Sequence, residues 1–248
     1  MHRGILITVI VVAAVVVVGA VWFGLAYGLT RGSGPVVSED RSIPAFTKVD
    51  LSGRGTLIVS QGATPALRIE AQRSVLDGLE TSVSGDTLRI GHRGEWFGFG
   101  PFWGRKSITY HLTVPDLRAI KLSGAVSVQG GSSFAAKEFV IECSGATEVN
   151  LEVRADIVRV NTSGSSDITL TGRADMAEFD TSGSTNIFAR GLASRVATVD
   201  CSGSSDIEVN ASEQLNVDAS GSSTVSHLGD PVLNTNISGS GEVRRLAQ

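Results

Sequence analysis

The stretch Val160-Asn-Thr-Ser-Gly-Ser-Ser-Asp-Ile168 decides the fold, because close variants of it recur along the second half of the chain. The Ser-Gly pair at its centre recurs at a regular spacing in seven repeats, beginning at Ser123, Ser144, Ser163, Ser182, Ser202, Ser220 and Ser238. Successive pairs are 18 to 21 residues apart. Repetition at a fixed short period is typical of repeat architectures, in which each unit buries its apolar face against its neighbours.

The residues around each Ser-Gly pair predict β-strands. The fifth residue after each Ser is always β-branched and aliphatic: Val128, Val149, Ile168, Ile187, Ile207, Val225 and Val243. The three residues before each Ser mostly run apolar, polar, then small or apolar, and this period of two is that of a strand. Glycine permits positive φ at a bend. We therefore predict an all-β fold, a β-solenoid of the parallel β-helix type, with coils of about 19 residues and glycine at a fixed corner.

The composition of the other segments divides the chain into four parts. Residues 1–30 are predicted to form a transmembrane anchor and residues 31–42 a flexible linker rich in Gly and Ser. Residues 43–115 alternate less regularly, and we expect an irregular β region or the N-terminal part of the solenoid. Pro115-Asp116 marks the break before residues 116–248, which we expect to form the regular parallel β-helix.

The N-terminal run Ile5–Leu29 contains 25 residues without a charge. As a helix it would be roughly 37 Å long, enough to cross a ~30 Å hydrocarbon core with some tilt. The alternative is a cleaved signal peptide, whose apolar stretch is normally only about 7–15 residues. We expect a single-pass membrane protein anchored by residues 5–29, with its β domain exported.

Charge and cysteine content exclude several functional classes. The chain has 21 Lys and Arg against 25 Asp and Glu, which argues against a nucleic-acid partner. Two cysteines are too few for a disulfide-stapled scaffold or a four-cysteine zinc site. The serines belong to a repeated corner, whereas a catalytic nucleophile would be singular. We therefore expect no catalytic residue and no cofactor.

Three motifs together resemble the bacterial GIN domain, the head domain of autotransporter adhesins. They are Phe46-x-x-Val49-x-Leu51-Ser52-Gly53, the hinge Val114-Pro115-Asp116-Leu117, and the stacked Ser-Gly-Ser-Ser-Asp/Thr corners. The resemblance covers residues 43–245. It implies a right-handed parallel β-helix in the bacterial envelope, and it carries no catalytic residues to this chain. Together with the anchor at residues 5–29, it predicts a protein of the bacterial cell membrane whose β domain lies in the periplasm or at the cell exterior.

One column of polar residues is a weak candidate for a metal site. Asp180, Asp200 and Asp218 each stand two residues before a corner serine, so stacked strands would hold them about 4.8 Å apart. Carboxylates this close repel one another unless water screens them, a proton is retained or a cation binds. The hypotheses are a solvated face and a weak Ca²⁺ site.

The segment Gly94–Gly104 concentrates aromatic residues among glycines and a proline. Its rings are those of Trp96, Phe97, Phe99, Phe102 and Trp103. One hypothesis is a cap folded over an open end of the stack. The other is a contact for an envelope protein, a glycan or the membrane surface.

These observations predict an exported envelope protein that acts as a non-catalytic, adhesin-like binding module or as a scaffold. One alternative is a polysaccharide-active β-helix enzyme, which would need carboxylates and a basic residue converging in one groove. The other alternative is a structural β-solenoid that assembles end to end.

Overall fold

The computed structural model describes residues 34–92 and 107–247, which form eleven strands and one short helix. The elements in chain order are β1 Val36–Arg41, β2 Lys48–Gln61, β3 Ala66–Gln72, α1 Arg73–Leu76, β4 Leu79–Ser84, β5 Thr87–His92, β6 Thr109–Val114, β7 Ala119–Gly203, β8 Asp206–Gly221, β9 Thr224–Leu228, β10 Val232–Gly239 and β11 Glu242–Arg245. The prediction of an all-β fold is confirmed.

The strands form one open sheet in the order β1-β3-β6-β2-β7-β8-β9-β11, with β10 paired to β8 and β4–β5 attached to β2. From β2 onward the neighbours are parallel, and equivalent positions of successive repeats face each other. Gly203 pairs with Gly221, for example, and Val225 pairs with Val243. The repeats therefore lie one upon the next in the register that the Ser-Gly spacing predicts.

Within each repeat, alternate side chains point to the core and to the surface, as the period of two predicts. The residues five positions after the corner serines, Val128 to Val225, are buried, and Val243 in the last repeat is partly buried. Burying an aliphatic side chain of this size contributes about 1.5–3 kcal/mol. One hydrophobic core thus runs through all the stacked repeats.

Residues 43–115 contain both stacked and antiparallel strands. Strand β2 belongs to the stack, because Ser52 and Gly53 pair with Ser123 and Gly124 of β7. Strands β5 and β6 pair with β2 in parallel on its other side. Beyond them the direction changes, since β4 pairs antiparallel with β5, and β3 antiparallel with both β6 and β1.

The prediction of a flexible linker over residues 31–42 is wrong for Val36–Arg41, which form β1. Arg41 fixes this strand, because its guanidinium donates hydrogen bonds to the carbonyl oxygens of Leu76 and Leu79 at 3.2 and 2.9 Å. It also donates to Glu39 Oε1 at 2.8 Å. A glycine- and serine-rich composition did not reveal that one arginine would find buried carbonyl partners across the chain.

The predicted membrane anchor, residues 5–29, lies outside the described residues, and so does the aromatic segment 94–104. Within residues 34–92 and 107–247, no helix has the length and apolar character needed to cross a membrane.

Candidate functional site

The Ser-Gly corners stack directly upon one another and set the geometry of the surface beside them. Gly183 has φ of +117°, and a Cβ built on it would lie 2.5 Å from the carbonyl oxygen of Gly164 in the repeat below. The hydroxyls of corner serines also donate hydrogen bonds to the preceding repeat. Ser144 donates to the carbonyl oxygen of Leu122, and Ser182 to that of Thr162, each at 3.3 Å.

A polar column runs beside these corners on the outer face. It consists of the residue two positions before each corner serine: Lys121, Glu142, Asn161, Asp180, Asp200, Asp218 and Asn236. They point outward because their neighbours on either side in the strand are turned inward.

Two depressions open to solvent flank the polar column, and we call the column together with these depressions the groove. Its first part extends from Lys121 to Ser182 on the corner side of the column, and its second part from Thr198 to Asn236 on the side away from the corner. The two parts share the polar column, which continues through all the repeats. The groove is therefore long, lined by side chains that repeat with the stack, and suited to an extended ligand.

One lysine faces four carboxylates in the polar column, so the groove is acidic. Lys121 Nζ lies 2.9 Å from Glu142 Oε2, and this hydrogen bond raises the pKa of the lysine. At the other end, Asn236 donates to Asp218 Oδ2 at 3.3 Å. Between these ends the outward residues are exposed carboxylates and an amide, which offer hydrogen-bond acceptors and donors to a ligand.

The three aspartates proposed as weak metal ligands do lie on this exposed face, and Asp200 pairs with Asp218 in register. Across residues 34–92 and 107–247, however, no group of three or more His, Cys, Asp and Glu side chains is placed to hold a metal ion. The geometry therefore gives the calcium hypothesis no support.

Behind the groove, hydroxyl groups of different repeats form pairs on the inner side of the corner. We call these pairs the hydroxyl ladder. Their oxygen–oxygen distances are 2.9 Å for Thr147–Ser166, 3.1 Å for Thr162–Thr185 and 3.4 Å for Thr181–Ser205. All six side chains are buried. Hydroxyls can be buried here because each finds a partner.

The ladder is the feature that the sequence interpretation missed. The signal was present, since the third residue after each corner serine has the same parity as the fifth, which is aliphatic. Thr147, Ser166 and Thr185 occupy this inward position. The sequence analysis did not single them out, although the period of two places these polar residues in the core.

Cys143 and Cys201 occupy inward positions next to the ladder. Both thiols are free and buried. Burial raises the pKa of each thiol, so both are protonated at neutral pH and poor nucleophiles. They serve as core residues.

The proposed contact residues Trp96, Phe97, Phe99, Phe102 and Trp103 lie outside the described residues. The structure therefore does not relate them to the groove.

Comparison with protein families matches the model described as "Putative auto-transporter adhesin, head GIN domain" over residues 45–231. The chain belongs to this family. The match confirms the resemblance inferred from the Phe46–Gly53 motif, the Pro115 hinge and the Ser-Gly corners. No curated protein matches this GIN-domain chain.

Solved bacterial structures share the fold. A "putative adhesin" from Bacteroides fragilis superposes with a TM-score of 0.78 at 21% identity, covering 86% of this chain and 98% of that one. A "Putative lipid binding protein" from Parabacteroides distasonis gives 0.67 at 19% identity, with coverages of 87% and 98%. A "putative adhesin" from the same species gives 0.63 at 18% identity, with the same coverages. At these identities the likeness shows the fold alone.

Proposed function

We propose that this GIN-domain protein is a non-catalytic binding module of the bacterial envelope and that the groove along the polar column holds an extended polysaccharide. The observation that carries the proposal is the groove itself, which is open, polar and repeated from Lys121 to Asn236. A ligand with hydroxyls at regular intervals matches side chains repeated every ~4.8 Å along the stack.

The acidity of the groove specifies the ligand class further. Four carboxylates against one lysine repel an anionic polymer and attract a cationic one. We therefore expect neutral glycans, or glycans bearing free amino groups, to bind better than uronic acid or sulfated polymers. Screening by salt should weaken the preference for amino sugars.

The proposal also covers the type of β-fold and the position of the domain relative to the membrane. The parallel register of the repeats supports a parallel β-helix, and membership of the GIN-domain family supports its right-handed form. The uncharged run of residues 5–29 supports a single membrane anchor that presents this domain outside the cytoplasm. Trp96 and Trp103 form a second contact, and Trp96→Ala with Trp103→Ala should weaken association with isolated envelopes without lowering the melting temperature.

Binding of immobilised polysaccharides tests the groove. The full chain is applied to a panel of neutral, amino-substituted and acidic polymers, and affinity is compared for Asp180→Ala with Asp200→Ala. A loss of tenfold or more is expected for the preferred polymer. The matched control is Asp167→Ala with Asp206→Ala, which removes two aspartates that are also exposed but lie on the other side of the column of corners. Equal losses in both pairs would overturn the groove as the binding site.

The same experiment separates binding from catalysis. The enzyme alternative requires carboxylates to act on a glycosidic bond, so bound polymer would be shortened and new reducing ends would accumulate. Recovery of the polymer at its original length supports a binding module. Turnover that is lost with Asp200→Ala would replace this proposal with the enzyme.

A further inference from the structure

The last strand before the final corner, β10, exposes an unusual amount of apolar surface. Every residue of Val232–Gly239 is exposed. Val232 retains 68% of its accessible surface, Leu233 46% and Ile237 40%. These are the largest exposures of large aliphatic side chains in the described stack, apart from Val36 at the opposite end.

The register explains the exposure of Leu233 and Ile237. They pair with Leu215 and Ala219 of β8, which point inward and are buried. Leu233 and Ile237 therefore face the core side too, yet within residues 34–92 and 107–247 no further strand lies above β10. Among the described residues, the core of the stack is thus open at this end, and one edge of β10 has no partner strand.

This edge lacks the features that normally prevent strands from pairing between molecules. Charged side chains, proline and bulges protect natural edge strands, but Val232–Gly239 contains no charge and no proline. The opposite edge of the sheet is different. In β1, Asp40 accepts from Arg68 at 2.8 Å, and Glu39 from Arg41 at the same distance. The two ends of the stack are therefore not complementary to each other.

We propose that a second copy of this chain docks on the open end, with β10 of the two copies paired antiparallel about a twofold axis at Thr235. This register places Leu233 of one copy opposite Ile237 of the other, and Asn234 opposite Asn236. All inward residues meet inward residues, so the two cores become continuous. In a strand, the N–H and C=O of alternate residues point to the same edge, so a residue-centred antiparallel pairing matches donors with acceptors.

The symmetry decides the size of the assembly. A twofold contact uses the same surface on both copies and is complete with two chains, whereas a head-to-tail contact would continue into a fibre. The charged edge of β1 disfavours the head-to-tail contact. The proposal thus goes beyond glycan binding, because a dimer presents two grooves on one axis and gains avidity for a long polymer.

Disulfide formation by Thr235→Cys tests the pairing. Directly opposed residues of antiparallel strands have Cα atoms about 4.5–5.5 Å apart, within the range for a disulfide. The native Cys143 and Cys201 are buried and do not compete. Mild oxidation of the full chain in detergent should give mostly covalent dimer. The control Ser204→Cys places a thiol on the exposed corner two repeats earlier, and only trace dimer is expected from it.

Sedimentation equilibrium provides the second measurement. The unmodified full chain should sediment at twice the mass of one chain, and Leu233→Lys with Ile237→Lys should reduce the mass to that of one chain. Both side chains are exposed in the single chain, so the variant should remain folded, with a melting temperature that no longer depends on protein concentration. Residues 5–29 are present in each protein, and a difference between them therefore reports on β10.

Three outcomes would overturn the proposal. They are cross-linking of Thr235→Cys no greater than that of Ser204→Cys, the same sedimented mass for wild type and the double lysine variant, and a polymer rather than a dimer. Loss of glycan affinity in the monomeric variant to the level of a single groove would leave the binding proposal intact. Loss of all binding in the Asp180 and Asp200 variant, with the dimer retained, would affect neither the interface nor its test.

Discussion

At the scale of single residues, the corner glycines carry two separate constraints. Gly183 needs glycine because its φ of +117° lies where L side chains are strained, and because Gly164 approaches it from the repeat below. Gly53 begins the same column, with φ of +127°, but a Cβ there would meet nothing within 4 Å. Comparing substitutions at Gly53 and Gly183 therefore separates the free-energy cost of backbone strain from that of the close contact between stacked repeats.

We predict that Gly183→Ala destabilises the protein by clearly more than Gly53→Ala. The strained φ costs about 1–3 kcal/mol at either position. At Gly183 the backbone of two repeats must also separate, which should add a cost of similar size. Urea unfolding of the two variants checks this prediction, and equal losses would show that stacking at the corner contributes nothing.

Tyr110 gives the fold a pH dependence in the alkaline range. Its side chain is buried, and burial raises its pKa to about 12 from an ordinary value of about 10. Because the unfolded state loses the proton first, stability is complete below pH 10 and decreases as the pH rises from 10 to 12. At ~1.4 kcal/mol per pKa unit, the loss is on the order of 3 kcal/mol.

Comparison with Tyr110→Phe isolates this effect. Within residues 34–92 and 107–247, the phenol donates one long hydrogen bond, 3.4 Å to the carbonyl oxygen of Arg54, so the variant should be nearly as stable at pH 8. Between pH 10 and 12 it should lose less stability than the wild type. Parallel curves for the two proteins would mean that Tyr110 ionises without unfolding.

At the scale of elements, the hydroxyl ladder shows how a repeat tolerates polar groups in its core. Thr162 and Thr185 share a hydrogen bond at 3.1 Å, and both are buried. Removing one hydroxyl leaves the other without its partner, which costs about 1–3 kcal/mol. Replacing both with valine leaves no unsatisfied group and adds apolar surface.

We therefore predict that Thr162→Val and Thr185→Val each destabilise the protein, whereas the double variant is close to wild type. The measurement is a double-mutant cycle from denaturant unfolding, which should give a coupling of more than 1 kcal/mol. Additive losses would instead mean that each hydroxyl has another partner.

The ladder and β1 also show what the sequence could predict about elements. The strands of the repeats were predictable because the Ser-Gly spacing and the aliphatic position after it recur seven times, which averages out local exceptions. Strand β1 was not, since its position depends on Arg41 bonding to Leu76 and Leu79, and such long-range contacts leave no periodic signal. The antiparallel pairing of β3 with β6 was hidden for the same reason.

The groove could be predicted from the sequence only in part. The repeat register alone places Asp180, Asp200 and Asp218 in one outward column, so the polar face was predictable. The depression beside it was not, because its depth depends on the relative position of the corner and the strand. The open end at β10 was hidden as well, since Leu233 and Ile237 follow the same alternation as buried residues and differ only in that no strand of residues 34–92 or 107–247 lies above them.

At the scale of the whole molecule, an open stack of repeats makes stability depend on position. Each repeat contacts only its neighbours, so the free energy of unfolding is approximately a sum over adjacent interfaces. Ile187, in the middle of the stack, is fully buried and has a repeat on each side, with Ile207 in register above it. Val243 stands at the equivalent position of the last repeat, is only partly buried, and pairs with Val225 on one side alone.

The same substitution should therefore have different effects at the two positions. Ile187→Asp places an unpaired charge in the core between two interfaces, and we expect it to abolish cooperative unfolding and amide protection across the stack. Val243→Asp leaves its carboxylate near solvent and disturbs one interface, so we expect only the last repeat to lose protection, with a small decrease in melting temperature. Native-state hydrogen exchange distinguishes the two patterns. If Ile187→Asp melts like the wild type, residue 187 does not lie in a continuous core. If Val243→Asp unfolds the whole protein, the last repeat is part of the folding unit and the open end at β10 must be covered.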